Sequence, residues 1–347
     1  MKKASLLICN LWHIKQTNGL FYYALDYIRT SGVSAVVYVR AAILSETQTA
    51  LPNHDVRCAD TLTIIWTLLQ TMWRRQFIFT PTSHPLPFYN RQIFVIHDDY
   101  PFLSKNGWMK RLLFRIALKS STCEIGHINH TTALDALSQM SIHPGRLRFM
   151  PNRAPDPAVV SRLRSERNAM AAGRQDRSQP LRIALLGTDS SKKRYAELFK
   201  VCKSPQHDHF QFEIYGHANL YYKSLEDQFP DLNLKLISSS KIDAAEFLKS
   251  IDVVVSVAEH EGFGRLIALA ISAGISCYLL ESPVFREFFS RSTRLHTDIG
   301  GLVDQLSQHD PTTGSSGRFE EQEFITHSYQ AASDHLLVRA TAGVRAA

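Results

Sequence analysis

The chain has 347 residues, 44% of them hydrophobic and 20% charged, with a formal net charge of +7. That balance excludes a disordered or collagen-like chain, and the length calls for two hydrophobic cores rather than one. The charge is lopsided: Met1–Met150 carries 16 Lys and Arg against 8 Asp and Glu, hence +8, while the remainder carries 23 against 24. Such an excess points to an anionic partner for the first half, a membrane surface or a nucleic acid. The 5 cysteines are scattered with no C-x-x-C pair, which fits free thiols in a reducing cytoplasm. Ala4–Cys9 is too short for a signal sequence, and Leu62–Trp73, the longest apolar segment, is broken by Thr and Gln and cannot span a bilayer.

Ser5–Cys9 reads as a first buried strand and Asn10–Gly19 as a polar loop. Leu20–Arg29 then reads as an amphipathic helix and Ala35–Val39 as a second strand. This is the opening of a doubly wound α/β domain. No G-x-G-x-x-G follows the first strand, which disfavours a dinucleotide dehydrogenase. Thr61–Trp73 reads as a helix closed by Arg74 and Arg75, where cations suit the dipole. Short strands follow at Phe77–Thr80 and Ile93–Ile96. After the latter comes His97-Asp98-Asp99-Tyr100-Pro101, which reads either as a ligand loop at a strand's carboxyl end or as a capped turn before proline.

Trp108–Lys119 interleaves Lys110, Arg111, Arg115 and Lys119 with Trp108, Leu112, Leu113 and Ile116. It fits a membrane-surface helix, or a core-packed helix with a solvated basic face; the charge excess favours the membrane. No helix-turn-helix, zinc-finger or RNP pattern appears, so nucleic acid is not expected. His127 and His130 have H-x-x-H spacing, but on a strand end they diverge. No metal is expected there or at His207-Asp208-His209. Thr131 or Thr132 is expected to cap a helix reaching Met140, and Ile142–Asn152, which closes on Pro151-Asn152, follows it.

Arg153–Pro180 is rich in Pro, Gly and Arg and reads as a connection between domains, with a short helix at Val159–Ala171. Leu181–Leu186 starts a second β-loop-α unit. Its loop begins at Gly187 and reaches a helix through Lys192 and Lys193. Phe212–Tyr215, Leu234–Ile237 and Ala244–Leu248 continue the alternation. Ile251–Gly274 then runs strand, charged glycine loop, helix. Ile251–Val257 suits a strand buried on both faces, Glu259–Gly264 forms the loop, and Arg265–Ala273 the helix. Glycines let backbone approach a ligand, and the N–H groups opening a helix favour an anion. A carboxylate beside an anion site suits the hydroxyls and phosphates of a nucleotide sugar. Pro283–Phe289 reads as a helix, Pro311–Gly317 as a turn and Phe324–Leu337 as a terminal helix.

Glu261-Gly262-Phe263-Gly264, followed by a helix ending Ala273-Gly274, resembles the donor-site signature of the retaining GT-B glycosyltransferases of the glycogen-synthase-like group. The resemblance implies an α/β GT-B fold, two doubly wound, Rossmann-like domains facing across a cleft. It implies an acceptor-side domain at 1–152, a linker at 153–180, a nucleotide-sugar domain at 181–325 and a helix at 326–347 crossing back to the first domain. His97, Asp98 and Glu261 would face the transferred sugar. Lys193, with Lys192 as alternate, would hold the diphosphate, alongside Gly187, Gly262, Phe263, Gly264 and Arg265. Asn18 and Gly19 would lie on the acceptor side, where the family carries a Gly pair. Two positions depart from the pattern. Leu269 stands where the family has a second Glu, on the donor ribose, and Thr188 where it has an Arg, on the diphosphate.

The implied function is sugar transfer from a nucleotide sugar to a lipid-linked or polysaccharide acceptor in surface glycan biosynthesis. Configuration would be retained, without metal or cofactor, in the cytoplasm or peripherally on the inner face of the plasma membrane through Trp108–Lys119. The alternatives are a catalytically inactive GT-B subunit supporting a partner transferase, and a nucleotide-sugar epimerase.

Overall fold

The structure, a computed structural model, describes residues 7–98, 107–120, 122–138, 142–171, 180–188, 191–310 and 317–342. Asp99-Tyr100-Pro101, Met140, Gly173, Asp189, Ser190 and most of the 311–317 turn lie outside the described residues. The chain divides into two compact units, Met1–Arg153 with Phe324–Ala347, and Ala154–Glu323.

The first unit is built on seven strands: β1 (Leu7–Asn10), β2 (Ala35–Val39), β3 (Asp55–Cys58), β4 (Phe77–Thr80), β5 (Gln92–Ile96), β6 (Glu124–His127) and β7 (Leu147–Phe149). Their spatial order is β3-β2-β1-β4-β5-β6-β7, and every recorded pairing is parallel. β1, β2, β4 and β5 are buried along their whole length. This is why they read as continuous apolar runs: helices cover both faces of a parallel sheet. The second unit repeats the plan with β8 (Leu181–Leu186), β9 (Phe210–Gly216), β10 (Leu234–Ser238), β11 (Val253–Ser256), β12 (Ser276–Leu280) and β13 (Leu295–His296). Its order, β10-β9-β8-β11-β12-β13, is again parallel throughout the recorded pairs. Each sheet therefore reverses its winding once, at β1/β4 in the first and at β8/β11 in the second. Loops at the carboxyl ends of such strand pairs form the crevice where open α/β sheets take ligands.

Several elements differ from the sequence expectation. β3 is a polar, largely exposed edge strand preceded by a helix at Leu44–Ala50, and neither carries a strong apolar period. β13 and the helix Ile299–Ser307 were likewise not foreseen. At the start of the helix Thr132–Ser138, Asn129 Oδ1 accepts from the Ala133 N–H at 2.8 Å and from the Thr132 hydroxyl at 3.4 Å. His127 and His130 do not diverge. Their rings lie 5.3 Å apart, and both pack on Phe149.

The stretch read as a linker holds a 15-residue helix, Pro157–Ala171, within the second unit. Arg164 donates to the carbonyls of Ser272 and Gly317 at 2.6 and 2.8 Å. Arg167 donates to the carbonyls of Leu248 and Lys249 at 2.9 and 3.4 Å, and to that of Ile251. Arg167 Nη1 thus bonds the carbonyls at and just after the end of the helix Ala244–Leu248, of which that of Leu248 also accepts from the Ile251 N–H at 3.3 Å. The last helix, Gln322–Thr341, is longer than read. Tyr329 donates to Thr30 Oγ1 at 3.0 Å and packs its ring at a tilt on Tyr27, centroids 4.7 Å apart, and His335 meets Glu124 at 2.5 Å.

Removing the Arg167 guanidinium takes a charged donor away from these carbonyls. Arg167→Ala is expected to lower stability by about 1.5–3 kcal/mol, read as a fall in the urea midpoint at unchanged slope.

Candidate functional site

β8 and β11 are neighbours in register, Ile183 opposite Val253 and Leu185 opposite Val255, so their carboxyl-end loops start side by side. The loop after β8 leaves through Gly187, at φ +91°, in the left-handed region that glycine enters without steric cost. It ends in a single 3₁₀ turn, Ser191–Lys193, before the helix Tyr195–Cys202. The loop after β11 returns to it twice. The Glu259 N–H donates to the Lys192 carbonyl at 3.1 Å, and Lys193 Nζ donates to Glu261 Oε2 at 2.9 Å.

The Lys193 side chain is 10% exposed and that of Glu261 23%. Burial alone raises the Glu261 pKa. The Lys193 charge and hydrogen bond, the Lys192 charge and the Gly262 N–H together outweigh it, and hold the carboxyl below its usual range. The carboxylate is therefore ionised at neutral pH, and the ion pair sits in a setting of low solvent access.

Phe263 is buried among Phe288, Phe289 and Phe319, with ring centroids 4.9, 6.1 and 6.4 Å away. Its ring anchors the loop to the core, and only its backbone remains for a ligand. Gly264 takes φ +87°, and a Cβ there would lie 3.2 Å from both Phe289 and Ile267. Glycine suits that turn, and it stands as the N-cap of the helix Arg265–Ser272, with no side chain to cap it. Arg265 opens this helix and is partly exposed; Leu269, one turn later, is partly buried.

Thr188 does something other than replace an arginine. Its Oγ1 donates to the His217 carbonyl at 2.7 Å, accepts from the His217 N–H at 3.0 Å, and the residue is buried. A Cβ on Gly216 would come within 2.6 Å of that oxygen. Thr188 and Gly216 thus clamp the β8 and β9 loops together. The sequence reading also passed over His217 and Ser239, at the carboxyl ends of β9 and β10 and 3.2 Å apart. Their signal was weak: a polar residue after a strand is usually a turn.

In the first unit, Asn18 is the N-cap of the helix Gly19–Thr30, its Oδ1 accepting from the Leu20 and Phe21 N–H groups at 3.1 and 3.3 Å. Gly19 is exposed with open space around its missing Cβ. His97 follows β5. Its Nε2–H donates to the Pro81 carbonyl at 2.9 Å, which fixes the tautomer and leaves Nδ1 as the lone-pair nitrogen. Burial brings its pKa down to about 4 against a partial lift from that hydrogen bond, so the ring is neutral at pH 7. Tyr23 presents a ring edge to it at 4.6 Å, and Asp98 beside it is partly buried. The sequence reading missed His13 and His84, on the loops after β1 and β4, whose rings stack 3.6 Å apart at the first reversal point. Only the strand order brings them together. No group of three or more His, Cys, Asp or Glu among the described residues is arranged to hold a metal.

His97 titrates near 6.5 when unfolded and about 4 when folded. Between those values the unfolded chain holds the extra proton, so stability is full above pH 6.5 and falls as pH drops toward 4. His97→Asn keeps an N–H for Pro81 and removes the titration. Its urea midpoint should fall less steeply than the wild type's across that window.

No protein-family model matches the sequence, and no curated protein matches it either. Solved structures do match in shape. HepE from Anabaena, in complex with UDP and glucose, aligns with a TM-score of 0.69 at 15% identity, over 97% of this chain and 99% of that one. A glycosyltransferase from Rickettsia africae aligns at 0.66 and 11%, over 98% and 99%. Sucrose-phosphate synthase from Thermosynechococcus elongatus aligns at 0.61 and 12%, over 98% and 97%. At these identities the likeness is one of fold, and the fold is the two-domain α/β architecture of GT-B.

Proposed function

We propose that the chain is a glycosyltransferase that takes a sugar from a nucleoside-diphosphate donor and passes it to a glycan or lipid-linked hydroxyl. The observation that carries this is the Lys193–Glu261 pair at the β8/β11 reversal, flanked by the N-terminus of the helix Arg265–Ser272. A cation and the N-terminus of a helix suit a diphosphate, and an ionised carboxylate suits sugar hydroxyls. UDP is the donor nucleotide to try first, since the HepE structures hold UDP with glucose and UDP-glucose.

In the proposed reaction the bond between the anomeric carbon and the β-phosphate oxygen breaks, and that oxygen gains negative charge. Lys193, with Lys192 beside it, neutralises the charge together with the helix N–H groups. The acceptor oxygen bonds to the anomeric carbon on the same face, so configuration is retained. Its proton goes to the departing phosphate. Glu261 holds the sugar's hydroxyls and keeps Lys193 in place before the donor arrives. Lys and backbone dipoles fill the role that a divalent metal plays elsewhere.

An inactive subunit supporting a partner transferase is the second reading, and Leu269 favours it. An aliphatic side chain stands where the resemblance implies a carboxylate for the ribose. Loss of one charge-assisted hydrogen bond weakens binding by about ten- to a hundredfold. That leaves a weak donor site, and the diphosphate contacts remain.

Calorimetry with UDP and an assay of UDP release from UDP-glucose, with and without glycan acceptor, separate the readings. Lys193→Ala should lower turnover about a hundred- to a thousandfold. Glu261→Gln should lower transfer by at least about tenfold yet bind UDP as well as the wild type or better, because Lys193 loses its internal partner. If the wild type binds neither a nucleoside diphosphate nor a nucleotide sugar at millimolar concentration, the subunit reading replaces the enzyme.

A further inference from the structure

The helix Thr61–Trp73 in the first unit is apolar on both sides. Inward, Ile64, Leu68 and Met72 pack onto the sheet against Ile8, Val36, Tyr38 and Ile78. Outward, Leu62, Ile65, Trp66, Leu69 and Trp73 recur at helical spacing and face solvent, with Leu62 79%, Trp66 63% and Trp73 85% exposed. The helix contains no charged residue. Single exposed apolar side chains are ordinary, but a five-residue stripe on one face is a docking surface. At 13 residues the helix is too short to cross a bilayer, and no helix among the described residues is long and apolar enough to do so.

A second helix repeats the design. In Gly107–Ser120, Phe114, Ala117 and Leu118 are buried, and Phe114 and Leu118 pack against Phe94, Ile96 and Ile125. Trp108, Leu112 and Ile116 form an exposed outer stripe, with Arg111, Arg115 and Lys119 exposed alongside. Strand register places both helices on the same face of the sheet. Ile8 pairs with Val36 and Ile78, Ile78 with Gln92, Thr80 with Phe94, and Phe94 with Ile125; partners in register share a face. The two outer stripes therefore point away from one sheet face within one unit.

Charge decides the occupant. Neither helix contains Asp or Glu, and Asp60 is engaged as the N-cap of the first. Arg74 and Arg75 follow the first helix and are exposed, and the second adds Arg111, Arg115 and Lys119. Trp beside Leu on one side with Arg and Lys at the margin is the composition of helices lying in the plane of a lipid interface. An acidic headgroup layer meets these cations, and acyl chains take the stripes. The sequence reading put membrane contact on Trp108–Lys119 with electrostatics dominant; the structure adds a larger and uncharged stripe on Thr61–Trp73.

We propose that this face of the first sheet is a membrane-docking surface, on which Leu62, Ile65, Trp66, Leu69 and Trp73 insert into an anionic bilayer and Arg74, Arg75, Arg111, Arg115 and Lys119 hold its headgroups. The proposal does not rest on the transferase reading, and its test needs no donor or acceptor.

Flotation of the full chain with phosphatidylcholine vesicles containing about one quarter phosphatidylglycerol is the experiment. The wild type should float, with tryptophan emission shifted to the blue. Salt at about 0.5 M should weaken binding without abolishing it, since screening removes the charge contribution and not the apolar one. Leu62→Ser, Trp66→Ser and Trp73→Ser alter exposed positions and should leave thermal stability unchanged. Each should lower the partition coefficient by about tenfold. Replacing Arg111, Arg115 and Lys119 by Gln should weaken binding to the anionic vesicles and not to phosphatidylcholine alone. Failure of the wild type to float at low salt overturns the proposal, as does flotation that survives the three serine substitutions. A dimer seen by light scattering and dispersed by those substitutions, with no vesicle binding, would assign the face to a second copy of the chain.

Discussion

The pair Lys193–Glu261 ties together two loops that the chain makes 68 residues apart. It forms because β8 and β11 lie side by side, and the winding of the sheet makes them do so. Taking a lysine and a glutamate out of water is costly, and their mutual attraction offsets that cost only with good geometry. The geometry comes from the surroundings. Phe263 is fixed in a ring cluster, the Glu259 N–H holds the Lys192 carbonyl, and Thr188 clamps the neighbouring loop. Both charges are therefore desolvated before any ligand arrives. In the proposed reaction a diphosphate exchanges one anionic partner of Lys193 for another, and little solvent has to reorganise.

What the sequence made legible follows from which forces act locally. Strands buried on both faces announce themselves, as AVVYV, QIFVI and VVVS do, because apolar side chains dominate both faces and the buried polar exceptions, such as Gln92, need hydrogen-bond partners. The edge strand Asp55–Cys58 is invisible by the same reasoning, since its side chains are largely exposed and carry no pattern. The glycine loop at Glu261–Gly264 was legible because two glycines and a carboxylate interrupt an apolar run, and Gly264 does need its left-handed backbone. Phe263 was read as a donor contact because it sits between those glycines; its ring belongs to the core.

The rest of the site depends on strand order, which no local pattern encodes. Lys193 and Glu261 could each be singled out, but not their 2.9 Å contact. His13 and His84 could not be paired at all, since one follows β1 and the other β4. Thr188 shows a further limit. A substitution relative to a family pattern reads as a lost arginine, whereas the hydroxyl has a full set of backbone partners on His217 and a glycine opposite that leaves room for it. The Leu62–Trp73 segment is too short and too broken to span a bilayer, and its sequence does not show which of its apolar residues the sheet leaves uncovered.

Charge is used in two different ways along the chain. In residues 151–347 basic and acidic residues nearly cancel, 23 against 24, yet this part holds the proposed anion site. Its cations are set against carboxylates at short range, Lys193 with Glu261 and Arg194 with Glu197, so they act through geometry and project little field. In Met1–Met150 the excess is +8, and the cations beside the apolar stripes stand in solvent on helices without acidic residues. Exposed charges of one sign attract over a Debye length of about 8 Å at physiological ionic strength but confer little specificity. The first arrangement suits a small ligand that must be held in one pose. The second suits a broad anionic surface that must be found and then held by the apolar side chains beneath it.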